Sequence, residues 1–251
     1  MNFFSPLEQF EVNVLLPFSF LGLFDISFTN LVFYLLVSTS AYLFFMYSSY
    51  YRATLVPTRW QALWEFFYYF VLGMVKQQAG RQGKFLFPIF FFTFFFIFFS
   101  NLFGLFPLGF TPTGHIVVTF TLALAFNVAF LIIGFSKNGL KFLKLFVPSG
   151  SPVWLLPLIV VIEVVSYLIR TFSLSLRLFA NMMAGHTLLH ILVSFVLAFV
   201  NQKSILSIFA ILPYALVFFI GILEFGIAFL QAYVFVILLS IYLNDALHPS
   251  H

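Results

Sequence analysis

The chain has 251 residues, of which 63% are hydrophobic and 7% charged, with 42 Phe and no Cys, and its mean hydropathy is +1.12. Soluble globular proteins carry about a quarter of their residues as charged side chains, so a water-soluble fold is excluded, and without Cys there are no disulfides, thiolate metal sites or Cys nucleophiles. The net charge of +4 is small, so the clustering of charge carries more information than its total.

The length leaves room for several spans of about 20 residues each, and a single membrane domain over residues 1–251 is expected. The Phe excess raises the hypothesis of an A/T-rich organelle genome. No Lys or Arg precedes Arg52, so neither a basic signal peptide nor an Arg-rich transit peptide is expected, and insertion from within the chain's own compartment is.

From Phe28 to Tyr50 an uncharged apolar run predicts a vertical transmembrane helix over about 28–50. Glu8, Glu11 and Asp25 precede it, whereas Arg52 and Arg59 follow. Lys/Arg excess marks the inner side, so the N-terminus is expected outside. From Thr58 to Gln78 the helical period puts Gln61, Glu65, Tyr69 and Lys76 on one face, with Leu63, Phe66, Phe67, Phe70 and Met74 opposite. That pattern predicts an interfacial amphipathic helix over about 58–78, with Trp60 and Trp64 suited to the interface. The alternative is the first turn of a spanning helix.

A Phe-saturated run predicts a span over about 85–106, and Pro107, Gly109, Pro112 and Gly114 predict a turn-rich loop whose one titratable group is His115. A second span over about 116–135 completes a hairpin and ends in Lys137, Lys141 and Lys144. Both basic clusters then fall on the same side. The last two segments, about 152–200 and 204–247, are each over forty residues long and are separated by the polar patch Asn201-Gln202-Lys203. Each reads either as two short helices or as one long, steeply tilted helix. The absence of interrupting polar loops favours a hairpin of two long tilted helices. No internal repeat of 20–50 residues is evident. The fold class expected is an all-α polytopic membrane protein.

Those last segments hold Glu163, Arg170, Arg177, Asn181, His186, His190, Glu224 and Gln231. Charge at membrane depth costs about 2.5–3.5 kcal/mol per residue on translocon scales, which makes it a functional hypothesis by default. Glu163, Arg170 and Arg177 are seven apart, so they fall on nearly one helical face as a stripe roughly 21 Å long, which Asn181 joins. Glu163 and Arg170 could serve only to neutralise each other, although seven residues is too far for direct contact. For Arg177 no carboxylate lies three or four positions away, so its partner is expected on another helix or chain.

His186 and His190 are one turn apart and read as proton-relay groups, as a hydrogen-bonded packing pair, or as two ligands of a metal. Two ligands are a weak metal signal, because closed sites need about four. Glu224 and Gln231 form a matching polar stripe on the second long segment. There is no phosphate loop, dinucleotide fingerprint, H-E-x-x-H or G-x-S-x-G, and haem between two spanning helices is unsupported by the His positions. No cofactor and no nucleic-acid partner is expected.

The run Ser173-Leu-Ser-Leu-Arg177-Leu-Phe-Ala-Asn181-Met-Met-Ala-Gly-His186 closely resembles the signature of the ATP synthase subunit a family, which includes mitochondrial ATPase subunit 6. Ser5-Pro-Leu-Glu-Gln-Phe10, Asn101-Leu-Phe-Gly-Leu-Phe-Pro107, Leu230-Gln231-Ala-Tyr-Val-Phe235 and Ile241-Tyr-Leu-Asn-Asp245 extend the resemblance over nearly the whole chain. It implies two long tilted helices curving against a rotor ring of c subunits. It also implies proton translocation through two offset half-channels that turns the ring and drives ATP synthesis in an attached head.

The resemblance makes Arg177 the essential arginine facing the ring carboxylate, which holds that carboxylate ionised and blocks a direct leak. It makes His186 and Glu224 an inlet pair in which bacterial members often carry the two residue types exchanged, which favours the mitochondrial branch. Glu163 becomes a matrix-side outlet carboxylate, and Asn181 and Gln231 polar neighbours of the arginine; His190 is assigned from spacing alone. The implied partners are the c-subunit ring, b-type and small membrane stator subunits, protons and lipids. The implied location is the mitochondrial inner membrane with the C-terminus in the matrix, the alternative being a bacterial plasma membrane. A secondary transporter binding solute at Arg177 would show paired repeats with broken helices, and none is visible. A membrane scaffold whose buried charges only fix helix pairing is the third reading.

Overall fold

The computed structural model describes residues 10–248 except 18, 21–23, 26, 52, 81, 107–108, 148–153 and 202–210. Most of the motif beginning at Ser5, the flanking Arg52, the start of the segment expected from 152, and the polar patch beyond Asn201 therefore lie outside the described residues.

Six α-helices dominate: α1 (Asn30–Tyr50), α2 (Arg59–Ala79), α3 (Phe87–Gly104), α4 (Ile116–Asn138), α5 (Leu156–Asn201) and α6 (Ile211–Leu247). All of them except α2 are long and apolar enough to cross a membrane, and the chain is an all-α polytopic membrane protein. Short strands precede α1, with β1 (Val14–Leu16) antiparallel to β4 (Phe28–Thr29) and β2 (Ser19–Phe20) antiparallel to β3 (Phe24–Asp25). This ribbon was not expected from the sequence. Asn30 ties it to the helix, since its Oδ1 accepts from the backbone N of Asn13 (3.2 Å) and its Nδ2 donates to the carbonyl of Glu11 (3.0 Å).

Local chemistry sets the helix ends. The Thr58 hydroxyl accepts from the backbone N of Gln61 (3.5 Å) as the N-cap of α2. Pro88 and Pro157 sit in the first turns of α3 and α5, where the missing N–H costs nothing. Hydroxyls inside apolar helices bond back to the preceding turn, as Ser38 does to the Tyr34 carbonyl (2.7 Å).

The chain divides into two compact units, one of residues 1–42, 96–115 and 178–231, the other of residues 43–95, 116–177 and 232–251. In the second unit Phe90, Phe94 and Phe95 of α3 are at most 1% exposed. Trp64 of α2 lies 4.9 Å from the Phe91 ring and stacks on Phe95 at 5.9 Å. This aromatic packing accounts for part of the Phe excess as core rather than lipid-facing bulk. Asn138, the last residue of α4, donates to the carbonyls of Ala246 (3.0 Å) and Leu247 (3.3 Å) and so satisfies two orphan acceptors at the end of α6. In the first unit, the segment expected to be a loop is packed inside: Phe110, Thr111 and Thr113 are 6%, 3% and 1% exposed around a 3-10 turn at Pro112–Gly114.

Candidate functional site

Within the first unit, α5 and α6 bring His186 and Glu224 to one small space. Both are buried, at 6% and 5% exposure. Neither the His186 Nε2 nor either carboxylate oxygen of Glu224 has a hydrogen-bond partner among the described residues. They line a cavity of roughly 10 Å³ with Asn181, Gly185, Met182, Leu105 and Ile227. About 10–15 Å³ is what one water molecule needs. A buried acid and a buried base thus border one space at the lower limit for a single water.

Two glycines make that approach possible. A Cβ on Gly185 would lie 2.7 Å from the Glu224 Oε1, so only glycine lets α6 present its carboxylate this closely to α5. On α3, a Cβ at Gly104 would lie 2.9 Å from the His186 Nε2 and 1.6 Å from the Thr111 Cγ2. One turn before Gly104, Asn101 is fully buried and its Oδ1 accepts from the Thr113 hydroxyl at 2.7 Å. Its Nδ2 and the neighbouring Ser100 Oγ are buried without a hydrogen-bond partner among the described residues. Phe10 stands edge-on 6.5 Å from the His186 ring and 6.5 Å from the His115 ring. Burial holds the His115 imidazole below its ordinary 6.5.

The remaining expected residues of this unit are placed differently. Asn181 touches the cavity but is exposed, His190 is exposed and outside the lining, and Gln231 is buried at 6% exposure two helical turns beyond Glu224. Among the described residues no three potential metal ligands converge.

In the second unit the charges of α5 separate. Arg170 Nη1 donates to Asp245 Oδ2 of α6 at 3.0 Å, and its guanidinium carbon lies 5.0 Å from the Tyr242 ring centroid. Arg170 is thus matched by α6 rather than by Glu163, which is half-buried. Polar contacts on α5 include the Asn127 Nδ2 donating to the Thr171 hydroxyl and a 3.1 Å bond between the Thr119 and Ser175 hydroxyls. Thr171, Leu174, Ser175 and Leu178 are buried, whereas Arg177 is exposed and makes no hydrogen bond or ion pair among the described residues. A permanent cation thus projects from an apolar helix with no carboxylate paired to it among the described residues.

Sequence reasoning singled out His186, Glu224 and Arg177 but not the groups that support them. Asp245, Asn101 and Gly104 stood inside quoted motifs without a role, and Gly185 within the signature run likewise. Thr113 had no signal beyond its place in a turn-rich segment.

The chain matches the family model for the ATP synthase A chain over residues 29–244. An ATP synthase subunit a of Acanthamoeba castellanii is 48% identical over 249 residues, covering 99% of each chain. One of Afipia carboxidovorans is 45% identical over 247 residues, 98% of this chain and 99% of that one. One of Chondrus crispus is 43% identical over 243 residues, 97% of this chain and 96% of its relative.

Proposed function

The chain belongs to the ATP synthase A chain family, and on that premise we propose that it is the proton-conducting stator subunit of an F-type ATP synthase, with Arg177 facing the carboxylates of a c-subunit ring. It passes protons to and from those carboxylates through two offset half-channels, and ring rotation couples the flow to ATP synthesis. It is a non-catalytic subunit of that enzyme. Exposed Arg177 is the observation that carries the role given to it. Guanidinium cannot release its proton, so the cost of holding it at membrane depth must be offset by an anion from outside the chain. A carboxylate that arrives opposite it is held ionised. Because the arginine keeps its own proton, it cannot relay protons between the half-channels.

In this reading His186 and Glu224 are the inlet relay, His190 extends the relay by its spacing, and Asn181 and Gln231 are polar neighbours of Arg177. Glu163 belongs to the outlet. The buried, unsatisfied atoms around a water-sized space support the relay role. Helix α5 has 46 residues, so it is about 69 Å long, longer than the about 40–45 Å of a bilayer with its headgroups. A tilt of roughly 50° from the membrane normal accommodates it. The whole chain acts as one membrane domain, with α2 lying at the interface.

The protein is a multi-pass membrane protein of the F0 sector. We place it in the mitochondrial inner membrane, with its N-terminus in the intermembrane space and its C-terminus in the matrix. The positions of Lys84, Lys137 and Lys141 support the orientation. The His/Glu order at positions 186 and 224 supports the organelle over a bacterial plasma membrane, and cell fractionation decides between them. The b-type and small membrane stator subunits are its further partners.

The test is Arg177→Ala in the assembled complex. ATP synthesis driven by a proton gradient is lost while assembly persists, and passive proton leak appears. Near-normal coupled synthesis would overturn the assignment.

A further inference from the structure

We propose that the α3–α4 hairpin binds one anionic phospholipid, with an acyl chain lying in an apolar groove between the helices and the phosphate held by Lys84, Lys137 and Lys141. The inference rests only on α3 and α4 spanning a membrane, not on the proton-conducting reading.

The groove has a volume of roughly 150 Å³ and is walled by Leu86, Ile89 and Phe90 on one side and by Ala125, Ala129 and Ile133 of α4 on the other, with no polar side chain in its lining. Ala125 and Ala129 lie one turn apart and form a recess where larger residues would close the helices together. Ile89 is 48% exposed and Ala125 is exposed as well, so the groove opens outward rather than into the core. A dry, apolar slot at membrane depth is satisfied by hydrocarbon and not by water.

Its length and its basic end fit a lipid. From Ala125 to Ile133 the groove follows α4 for about 12 Å. One turn beyond Ile133 stands Lys137, whose Nζ lies 5.3 Å from the Phe85 ring centroid and so joins the ends of the two helices. Lys84 is two residues before Leu86, Lys141 follows α4, and both are exposed. Among the described residues neither Lys84 nor Lys141 has a carboxylate partner. Asp245, the acid near the end of α6 that Asn138 caps, is already engaged by Arg170 at 3.0 Å. Lys137, and Lys84 beside Phe85, therefore stand at the end of the groove where a headgroup would sit, with Lys141 four residues beyond Lys137. They attract a net anionic headgroup and repel the trimethylammonium of a zwitterionic one.

The experiment uses the chain's assembled complex in vesicles containing phosphatidylglycerol or phosphatidylcholine that carries a mid-chain diazirine. Crosslinked residues are mapped by mass spectrometry. Phosphatidylglycerol should label Leu86–Phe90 and Ala125–Ile133 at least about fivefold more than phosphatidylcholine, since about 1 kcal/mol per lysine corresponds to fivefold. The double variant K84Q/K137Q should remove that preference and leave a basal level. Ala129→Phe should suppress labelling by both lipids, and Ala129→Ile should lower it in part, which guards against a Phe variant that fails to assemble. Equal labelling by the two lipids would overturn the proposal, as would labelling indifferent to residue 129. So would a groove unlabelled by either lipid because a partner subunit's helix fills it.

Discussion

Gly185→Ala is the substitution that tests the relay geometry most directly. The new Cβ would lie 2.7 Å from the Glu224 Oε1 and 3.1 Å from its Cδ, where such carbons keep at least 3.0 Å, so the carboxylate must retreat by 0.3 Å or more (3.0 − 2.7). The space it borders is only about 10 Å³, at the lower limit for one water, so even this small intrusion removes the room. The displaced atoms end a flexible side chain and can give, so the penalty sits at the low end of the about 1–3 kcal/mol of overpacking. Falling on the conducting arrangement, about 1–1.5 kcal/mol slows proton flow about 5- to 13-fold at 1.36 kcal/mol per decade. Gly221 and Gly226 of α6 have nothing within 4 Å of a built Cβ, so alanine there should be neutral or stabilising by about 0.5–1 kcal/mol. The assay is ATP-driven proton pumping and passive proton conduction in vesicles, normalised to assembled complex. Gly185→Ala should fall in that range, Gly221→Ala should match wild type, and Glu224→Asp should partly restore Gly185→Ala by shortening the acid. Wild-type pumping by Gly185→Ala, or equal loss in the Gly221 control, would refute the reasoning.

Replacing His186 with Gln or Glu224 with Gln should slow turnover and change its pH profile, because each removes a titrating group from the relay; pH–rate curves of the reconstituted complex check this, and unchanged curves in both return the pair to packing. For the Arg170–Asp245 pair, Asp245→Asn and Arg170→Gln should each reduce assembly more than half as much as the double variant, since each leaves one charge without its partner at 3.0 Å. A thermal-dissociation double-mutant cycle measures that coupling, and strict additivity would mean that the pair contributes nothing. His115 is held below 6.5 by burial, so its neutral form is the one the fold favours. The stability it contributes is fully present above pH 6.5 and is lost as pH falls below that value, where the unfolded chain binds the extra proton. His115→Gln should flatten that part of the pH–stability curve relative to wild type.

Hydropathy and period made the long elements legible, because a bilayer demands runs of apolar residues whose length is set by its thickness. Continuous helices over Leu156–Asn201 and Ile211–Leu247 follow from the same logic: no polar loop interrupts either run. The ribbon before α1 was hidden because its strands are two or three residues long and its tie to α1 runs through Asn30, a side-chain contact with no period. The candidate relay was half legible. A buried His and a buried Glu announce themselves by the cost of their burial, but Gly185 matters through a neighbour on another helix, and sequence spacing on one helix cannot show that. Arg170 illustrates the same limit. Its acid partner is 75 residues away, so a search at helical spacings found only Glu163.

The polar atoms left unsatisfied argue for transport over scaffolding. More than nine-tenths of buried polar groups in folded proteins find a partner, and a scaffold that used charge to fix helix pairing would satisfy its charges, as Arg170 and Asp245 do. The Ser100 Oγ, Asn101 Nδ2, His186 Nε2 and Glu224 carboxylate oxygens are buried with no partner among the described residues, and all four residues lie in the segments 96–115 and 178–231 of one unit. Their clustering is what a proton path requires: donors and acceptors kept available for water instead of being consumed by one another. Arg177 is the complementary case, a charge that no acid balances among the described residues and that cannot titrate away. Packing alone would have favoured replacing these groups by apolar residues of similar volume. Under the proposed function, the exposed arginine of a chain with only 7% charged residues waits for a moving partner that brings its own carboxylate, and the buried groups wait for water.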